Sequence, residues 1–339
     1  MEVAEQLLSI AVTAGLLLTR AGSDPVRACQ CVIFGSGVGA AMTLTLLCIL
    51  RLREKPPKGP RIPVAKRLLE TAVPLALADD LKSGLSTVEN LMVPKRLGVA
   101  EPLAAFGMLT GMVFPVMMFP AAILFGLAEL LIPELARCAA AGSQRRIQYL
   151  VKRSLRAGLL YGCWAGGLLV LLARPLCLRL YGSNEAGQQM AAYALLVPML
   201  YCDAVTDAMC KGLGQQKICV RNNIFTGFLD IVFLYFLLPK FGLHGYFASF
   251  FLTHALNFLL SIRLLLRVSG VVLSPAAVLK TLAAAAGSAA LCRLLSVPGV
   301  RAGAFVAAFF AALTLLGILD REDLRWLRSL LTQIPARKA

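Results

Sequence analysis

The stretch AVPLALADDLKSGLSTVEN, from Ala72 to Asn90, decides what kind of chain this is. It has the length and much of the apolar content of a membrane-spanning helix, yet it carries Asp79, Asp80, Lys82 and Glu89. A charge at the centre of such a helix costs about 2.5–3.5 kcal/mol on insertion scales, so four persist in one span only where they face protein, water or a substrate. Asp79, Lys82, Ser86, Glu89 and Asn90 fall at helical spacing on one face, opposite Leu75, Leu77, Leu81 and Leu91. The spacing predicts a helix with one wet face and one face against lipid or other helices. Asp79, Asp80, Lys82, Ser86, Glu89 and Asn90 are therefore the candidate lining of a substrate pathway.

The rest of the chain agrees with a membrane setting. Mean hydropathy is +0.76 and only 15% of residues are charged, against about 25% in soluble domains. Its 339 residues accommodate about ten spans of roughly 20 residues with short connections, and no sizeable soluble domain. We read spans at 3–19, 28–50, 67–93, 103–135, 150–172, 188–213, 218–239, 245–266, 275–295 and 302–319. The fold expected is an all-α integral membrane protein of about ten transmembrane helices.

The net charge of +16 would suggest nucleic acid in a soluble protein, but here the basic residues lie between spans. Alternate loops hold 23 of the 34 lysines and arginines, and the intervening loops hold nine. By the positive-inside rule the first group is cytoplasmic, which places both termini and the Arg51–Arg67 loop in the cytoplasm. No aromatic-interleaved basic surface points to nucleic acid. The ten cysteines contain no C-x-x-C pair, so a disulfide framework or zinc site is not expected, and small buried thiols between helices are.

Residues 1–50 read as the last two spans of something larger, 51–66 as a basic, proline-rich cytoplasmic linker (RLREKPPKGPRIP over Arg51–Pro63), and the spans after it as one eight-span bundle. Residues 320–339 form an amphipathic tail with Leu324, Leu327, Leu331 and Ile334 on one face and Trp326 suited to the headgroup boundary. The fourth span carries Pro115, Pro120 and Pro133, which kink a helix and free carbonyls for other partners, as a hinge or as a static bend.

Three further spans place polar groups at helical spacing: Asp203, Asp207 and Lys211; Asn222, Thr226 and Asp230; His254, Asn257 and Ser261. With the third span they can build an interior polar chamber, although Asp207 with Lys211 also reads as an interfacial ion pair. Asp79, Asn223, Asp230 and Thr253 supply the hard oxygen atoms that a cation needs, so coupling to Na+ or H+ is chemically allowed. Lys82 can instead attract a phosphate or pyrophosphate. No phosphate-binding loop, nucleophile elbow or zinc-protease motif occurs, so neither an enzyme, nor a resident cofactor or structural metal, is expected.

The runs ETAVPLALADDLKSGLSTVENLMVPKRL (Glu70–Leu97), FGMLTGMVFPVMMFP (Phe106–Pro120), LAELLIPELAR (Leu127–Arg137) and GLGQQK (Gly212–Lys217) together resemble the second lobe of the stage V sporulation protein B type. That family belongs to the multidrug/oligosaccharidyl-lipid/polysaccharide exporter superfamily, which includes the lipid II flippases. The resemblance implies fourteen spans in two lobes of six plus two extra helices, which makes residues 1–50 the last two helices of the first lobe, 67–267 the six-helix second lobe and 268–319 the two additional spans. It implies flipping of an undecaprenyl-linked glycan precursor across the plasma membrane by alternating access, for cell wall or spore cortex. The partners implied are that lipid-linked saccharide, membrane lipids and a protein supplying four first-lobe helices; without them the 339-residue chain is expected not to flip substrate alone. The alternatives are a small-molecule exporter of the same fold and a non-transporting membrane assembly protein.

Overall fold

A computed structural model of the chain describes residues 2–21, 24–53 and 64–318. The linker beyond Arg53 and the amphipathic tail lie outside the described residues, as does the side chain of Asp79. Every regular element among the described residues is helical. The chain divides into two compact units, residues 1–69 and 70–339.

The first unit holds α1 (Glu2–Leu16), which runs into a π turn at Leu17–Ala21, and α2 (Pro25–Arg53). They form an antiparallel hairpin. Cys31 Sγ lies 3.7 Å from the Leu16 carbonyl oxygen, and Gly35 faces Thr13 so closely that a Cβ there would sit 2.0 Å from Thr13 Oγ1.

Helix α3 (Val64–Arg96) leads into the second unit and carries the charged stretch. The fourth expected span is divided into α4 (Pro102–Met108), a π turn at Leu109–Val113, α5 (Phe114–Met118) and α6 (Ala121–Ala140). The 62° bend falls between Met118 and Ala121, at Pro120, whose ring denies the helix a hydrogen bond. Tyr161 and Tyr201 each donate a hydroxyl at 2.7 Å to carbonyls beside the break, those of Pro120 and Met117 respectively. The bend is thus latched by neighbours. Pro133 lies inside α6 without breaking it.

Helix α7 (Gln144–Tyr181) spans 38 residues, well beyond the expected 150–172. The sixth expected span is also broken, into α8 (Asn184–Ala194) and α9 (Val197–Gly212), which meet at 56°. Helix α10 (Gln216–Ser269) covers 54 residues, which as one straight helix would reach about 80 Å at 1.5 Å per residue, far more than one bilayer needs. Gly242, at φ +54°, ψ −130°, divides it. The halves fold back on each other, with Asp230 opposite Ser249 and Thr226 opposite Asn257. α11 (Pro275–Cys292) and α12 (Pro298–Leu315) complete the bundle.

Among the described residues, five helices are long and apolar enough to cross a bilayer, or seven when each bent pair counts as one span. Dividing α10 at Gly242 adds another pass. Helix α1 is short and α3 is charged, which is why length and apolarity alone pass over them. With both included, the helical segments follow the ten spans expected from the sequence.

Lipid offers apolar side chains no hydrophobic reason to associate, so close packing does the work. Gly162 of α7 meets α9 where a Cβ would lie 2.8 Å from Pro198 Cα, and Gly212 meets α6 where a Cβ would lie 2.9 Å from the Ile132 carbonyl oxygen. Helix α12 docks on α7 through Phe305 and Phe309, both at most 1% exposed, and α11 joins the same cluster through Ala284 and Cys292. All ten cysteines are free thiols, and only Cys29 and Cys48 are exposed.

Candidate functional site

Most of the polar side chains singled out by spacing converge in the second unit on a cavity of about 470 Å³, whereas Lys211, Asn222 and Ser261 are not among its lining residues. Helix α3 contributes Lys82, Ser86 and Glu89, and α9 contributes Asp203 and Asp207. The first half of α10 adds Asn223, Thr226 and Asp230; the second half adds Thr253, His254 and Asn257. Met118, Phe125 and Tyr201 supply part of the apolar remainder.

Four separate spans thus turn their polar stripes inward, as expected where lipid would reject them. The wall from α3 is narrower than the expected stripe. Asp80 and Asn90 are exposed and do not line this cavity: at 100° per residue Asp80 lies about 160° round the helix from Lys82, and Asn90 sits one step past Glu89. Lys82 and Ser86 are exposed as well, but they border the cavity, with Leu85 between them.

The carboxylates are held by neighbours of three kinds. Tyr246 donates its hydroxyl to Glu89 Oε1 at 3.0 Å. Ser249 and Thr253 donate theirs to Asp230 Oδ1 at 2.7 and 3.1 Å. Asn257 donates its side-chain amide to Asp203 Oδ2 at 3.0 Å, and Lys211 pairs with Asp207 at 2.9 Å. Hydrogen bonds to ionised groups are worth about 1.5–3 kcal/mol each, so these contacts offset much of the cost of placing acids inside a bundle. The offset is incomplete, because Asp203 Oδ1 and Asp207 Oδ1 are buried without a hydrogen-bond partner among the described residues.

Of the four residues proposed from sequence for a cation, Asn223, Asp230 and Thr253 line this one cavity, and Thr253 bonds directly to Asp230. Within the polar part of the lining, oxygen-bearing side chains outnumber nitrogen-only ones, the chemistry that suits a hard cation. Among the described residues, no carboxylate forms an ion pair with Lys82 or His254; the latter stacks on Phe250 with ring centroids 3.9 Å apart and has Nδ1 2.9 Å from the Phe250 carbonyl oxygen.

Spacing arguments missed Tyr246 and Ser249. Both lie on the face that runs through Thr253 and Asn257, at steps of three and four, so extending the His254–Asn257–Ser261 stripe one turn and more towards the amino terminus finds them.

No family model matches the chain, and no curated protein matches its sequence. Among solved structures the chain is similar to the lipid II flippase MurJ in an inward closed conformation, with a TM-score of 0.67 over 91% of this chain. The fold is MurJ-like. Sequence identity is 10%, and the chain spans 65% of the length of that protein. What the two share is the path of the helices. The likeness is one of fold, a multi-pass helical membrane bundle.

Proposed function

We propose that this protein takes part in moving an undecaprenyl-linked glycan precursor across the plasma membrane by alternating access, for cell wall or spore cortex synthesis. The observation that carries the reading is the polar cavity built from α3, α9 and both halves of α10 inside a MurJ-like bundle. Such cavities cost stability and are kept where a polar cargo must pass. Lys82 supplies a cation for the substrate's pyrophosphate, with Ser86 one turn away and Asp79 proposed beside it. Asp80 and Asn90, on the exposed part of α3, are proposed to meet substrate outside the cavity. Asp79, Asn223, Asp230 and Thr253 are proposed to couple the movement to Na+ or H+. Both termini are assigned to the cytoplasm by the basic-loop alternation, and a partner providing further first-lobe helices is proposed to complete the transport path.

The test is complementation in cells depleted of their lipid II flippase, with surface exposure of the precursor as readout. Restoration by the wild type co-expressed with the four amino-terminal first-lobe helices of a MurJ-like flippase, and loss with Lys82→Gln at equal membrane abundance, is the expected result. No restoration by well-inserted wild type in that pairing counts against the reading.

One observation favours a second reading. The cavity is lined by four carboxylates, Glu89, Asp203, Asp207 and Asp230, against the single ammonium of Lys82. That balance suits a cationic small molecule as cargo. Efflux of a fluorescent organic cation from cells, lost in Asp203→Asn, together with no precursor movement, would select the exporter reading.

A further inference from the structure

A second cavity of about 660 Å³ lies in the same unit between α7, α9, the second half of α10 and α11, and reaches Leu316–Ile318 beyond α12. Its volume is within the range of about 300–1,000 Å³ typical of sites for small ligands. Its charged lining residues are Lys152 and Arg156 of α7 and Lys280 of α11, and among its described lining residues there is no carboxylate. The sign of its charge is therefore opposite to that of the polar cavity.

The remaining lining is mostly hydrocarbon, including Leu159, Leu160, Met199, Phe258 and Ile262. The cations and the apolar wall are ordered along α7: from Lys152 to Leu160 the helix descends about 12 Å. At the basic end, Arg156 is anchored by donating to the Ile318 carbonyl, whereas Lys152 and Lys280 are exposed. At the other end, Leu195 and Pro198 mark the break between α8 and α9. A small soluble anion would satisfy the lysines and leave the apolar wall uncovered; a neutral lipid would do the reverse.

The geometry points to a binding site for an anionic glycerophospholipid of the surrounding leaflet, its phosphate among Lys152, Arg156 and Lys280 and an acyl chain along Leu159, Leu160 and Ile262. Basic pockets between transmembrane helices recognise anionic headgroups in this way. Lysine suits the task as a mobile point charge, and Arg156 as a fixed one. The bound lipid ties α11 to α7, and the inference stands apart from the transport reading because none of these residues belongs to the polar cavity.

The experiment uses the purified, delipidated full chain in detergent, following thermal unfolding during titration with phosphatidylglycerol, phosphatidylcholine or inorganic phosphate. Phosphatidylglycerol is expected to raise the melting temperature at concentrations at least tenfold below phosphatidylcholine, with no shift from phosphate. In Lys152→Gln/Lys280→Gln that preference is largely lost, since two lysine contacts to an anionic headgroup are worth roughly thirtyfold. Lys217→Gln/Lys240→Gln, which removes the same charge elsewhere, keeps it, as does Lys152→Arg/Lys280→Arg. Equal potency of the two lipids, an equal shift with phosphate alone, or equal loss in both glutamine pairs overturns the site.

Discussion

Tyr246 donates its hydroxyl to Glu89 Oε1 at 3.0 Å and so joins α3 to the second half of α10 across 157 residues of chain. Tyr246 is 4% exposed, which leaves no bulk water to replace it. The contact fastens the helix that bears the charged stretch to the hairpin that bears Asp230.

Removing this hydroxyl in Tyr246→Phe leaves Glu89 without its donor and is expected to cost about 1.5–3 kcal/mol, seen as a lower melting temperature in detergent. Glu89→Gln retains an acceptor for Tyr246 and is expected to recover most of that stability while complementation remains impaired. An unchanged melting temperature in Tyr246→Phe would show that the bond carries no weight.

Lys82→Ala is expected to abolish complementation while changing stability by no more than about 0.5 kcal/mol, because its exposed side chain holds no packed neighbour in place. Asp79→Ala is expected from the sequence to lose complementation as well. Membrane abundance measured by immunoblot accompanies both. Well-expressed, fully active variants would remove the stretch from the pathway.

Tyr201→Phe and Tyr161→Phe each strip a donor from the carbonyls beside the Pro120 bend. Each is expected to lower stability by about 1 kcal/mol, the larger loss falling on buried Tyr201. Equal melting temperatures in all three proteins would mean that the bend satisfies its own carbonyls.

Gly162→Val places a branched side chain where even a Cβ would lie 2.8 Å from Pro198 Cα. The expected cost is about 1–3 kcal/mol, or failure to accumulate in the membrane. Gly126→Ala, which meets no atom within 4 Å, serves as the comparison and is expected to be neutral.

Orientation is checked by cysteine labelling in a background with exposed Cys29 and Cys48 replaced by serine. A cysteine at Phe241, beside the Gly242 turn, is expected to react with an impermeant reagent added to intact cells, and one at Ser143 is not, following the basic-loop alternation. The opposite pattern inverts the topology.

Much of this architecture was legible because its signals are local. Pro120 and Gly242 sit at two of the breaks, and polar residues three and four apart mark the faces that turn inward. The fine division of the fourth and sixth spans was less legible. The π turn at Leu109–Val113 and the break after Ala194 arise where tertiary packing bends a continuous apolar run, and Pro198 is the only nearby cue to the second of these. The partners within the site were not legible either, since Glu89–Tyr246 and Asp203–Asn257 join residues 157 and 54 apart. Spacing tells which face is polar but not which face it will meet. Asp80 shows the converse, a charge on the right helix that points away from the cavity wall.

The fold-back of α10 at Gly242 has a consequence for biogenesis. Asp230 finds both its hydroxyl donors, Ser249 and Thr253, within its own hairpin, 19 and 23 residues later. A helical hairpin leaving the insertion machinery therefore carries its acid already solvated by its own side chains. Asp203 has no such local escort: its amide donor, Asn257, is 54 residues downstream, a delay of roughly 3–10 s at about 5–20 residues per second of synthesis. Until then α9 holds an acid without its partner amide. The order of synthesis thus sets an order of assembly, with the α10 hairpin delivering to α9 the amide that lets Asp203 settle in the bundle.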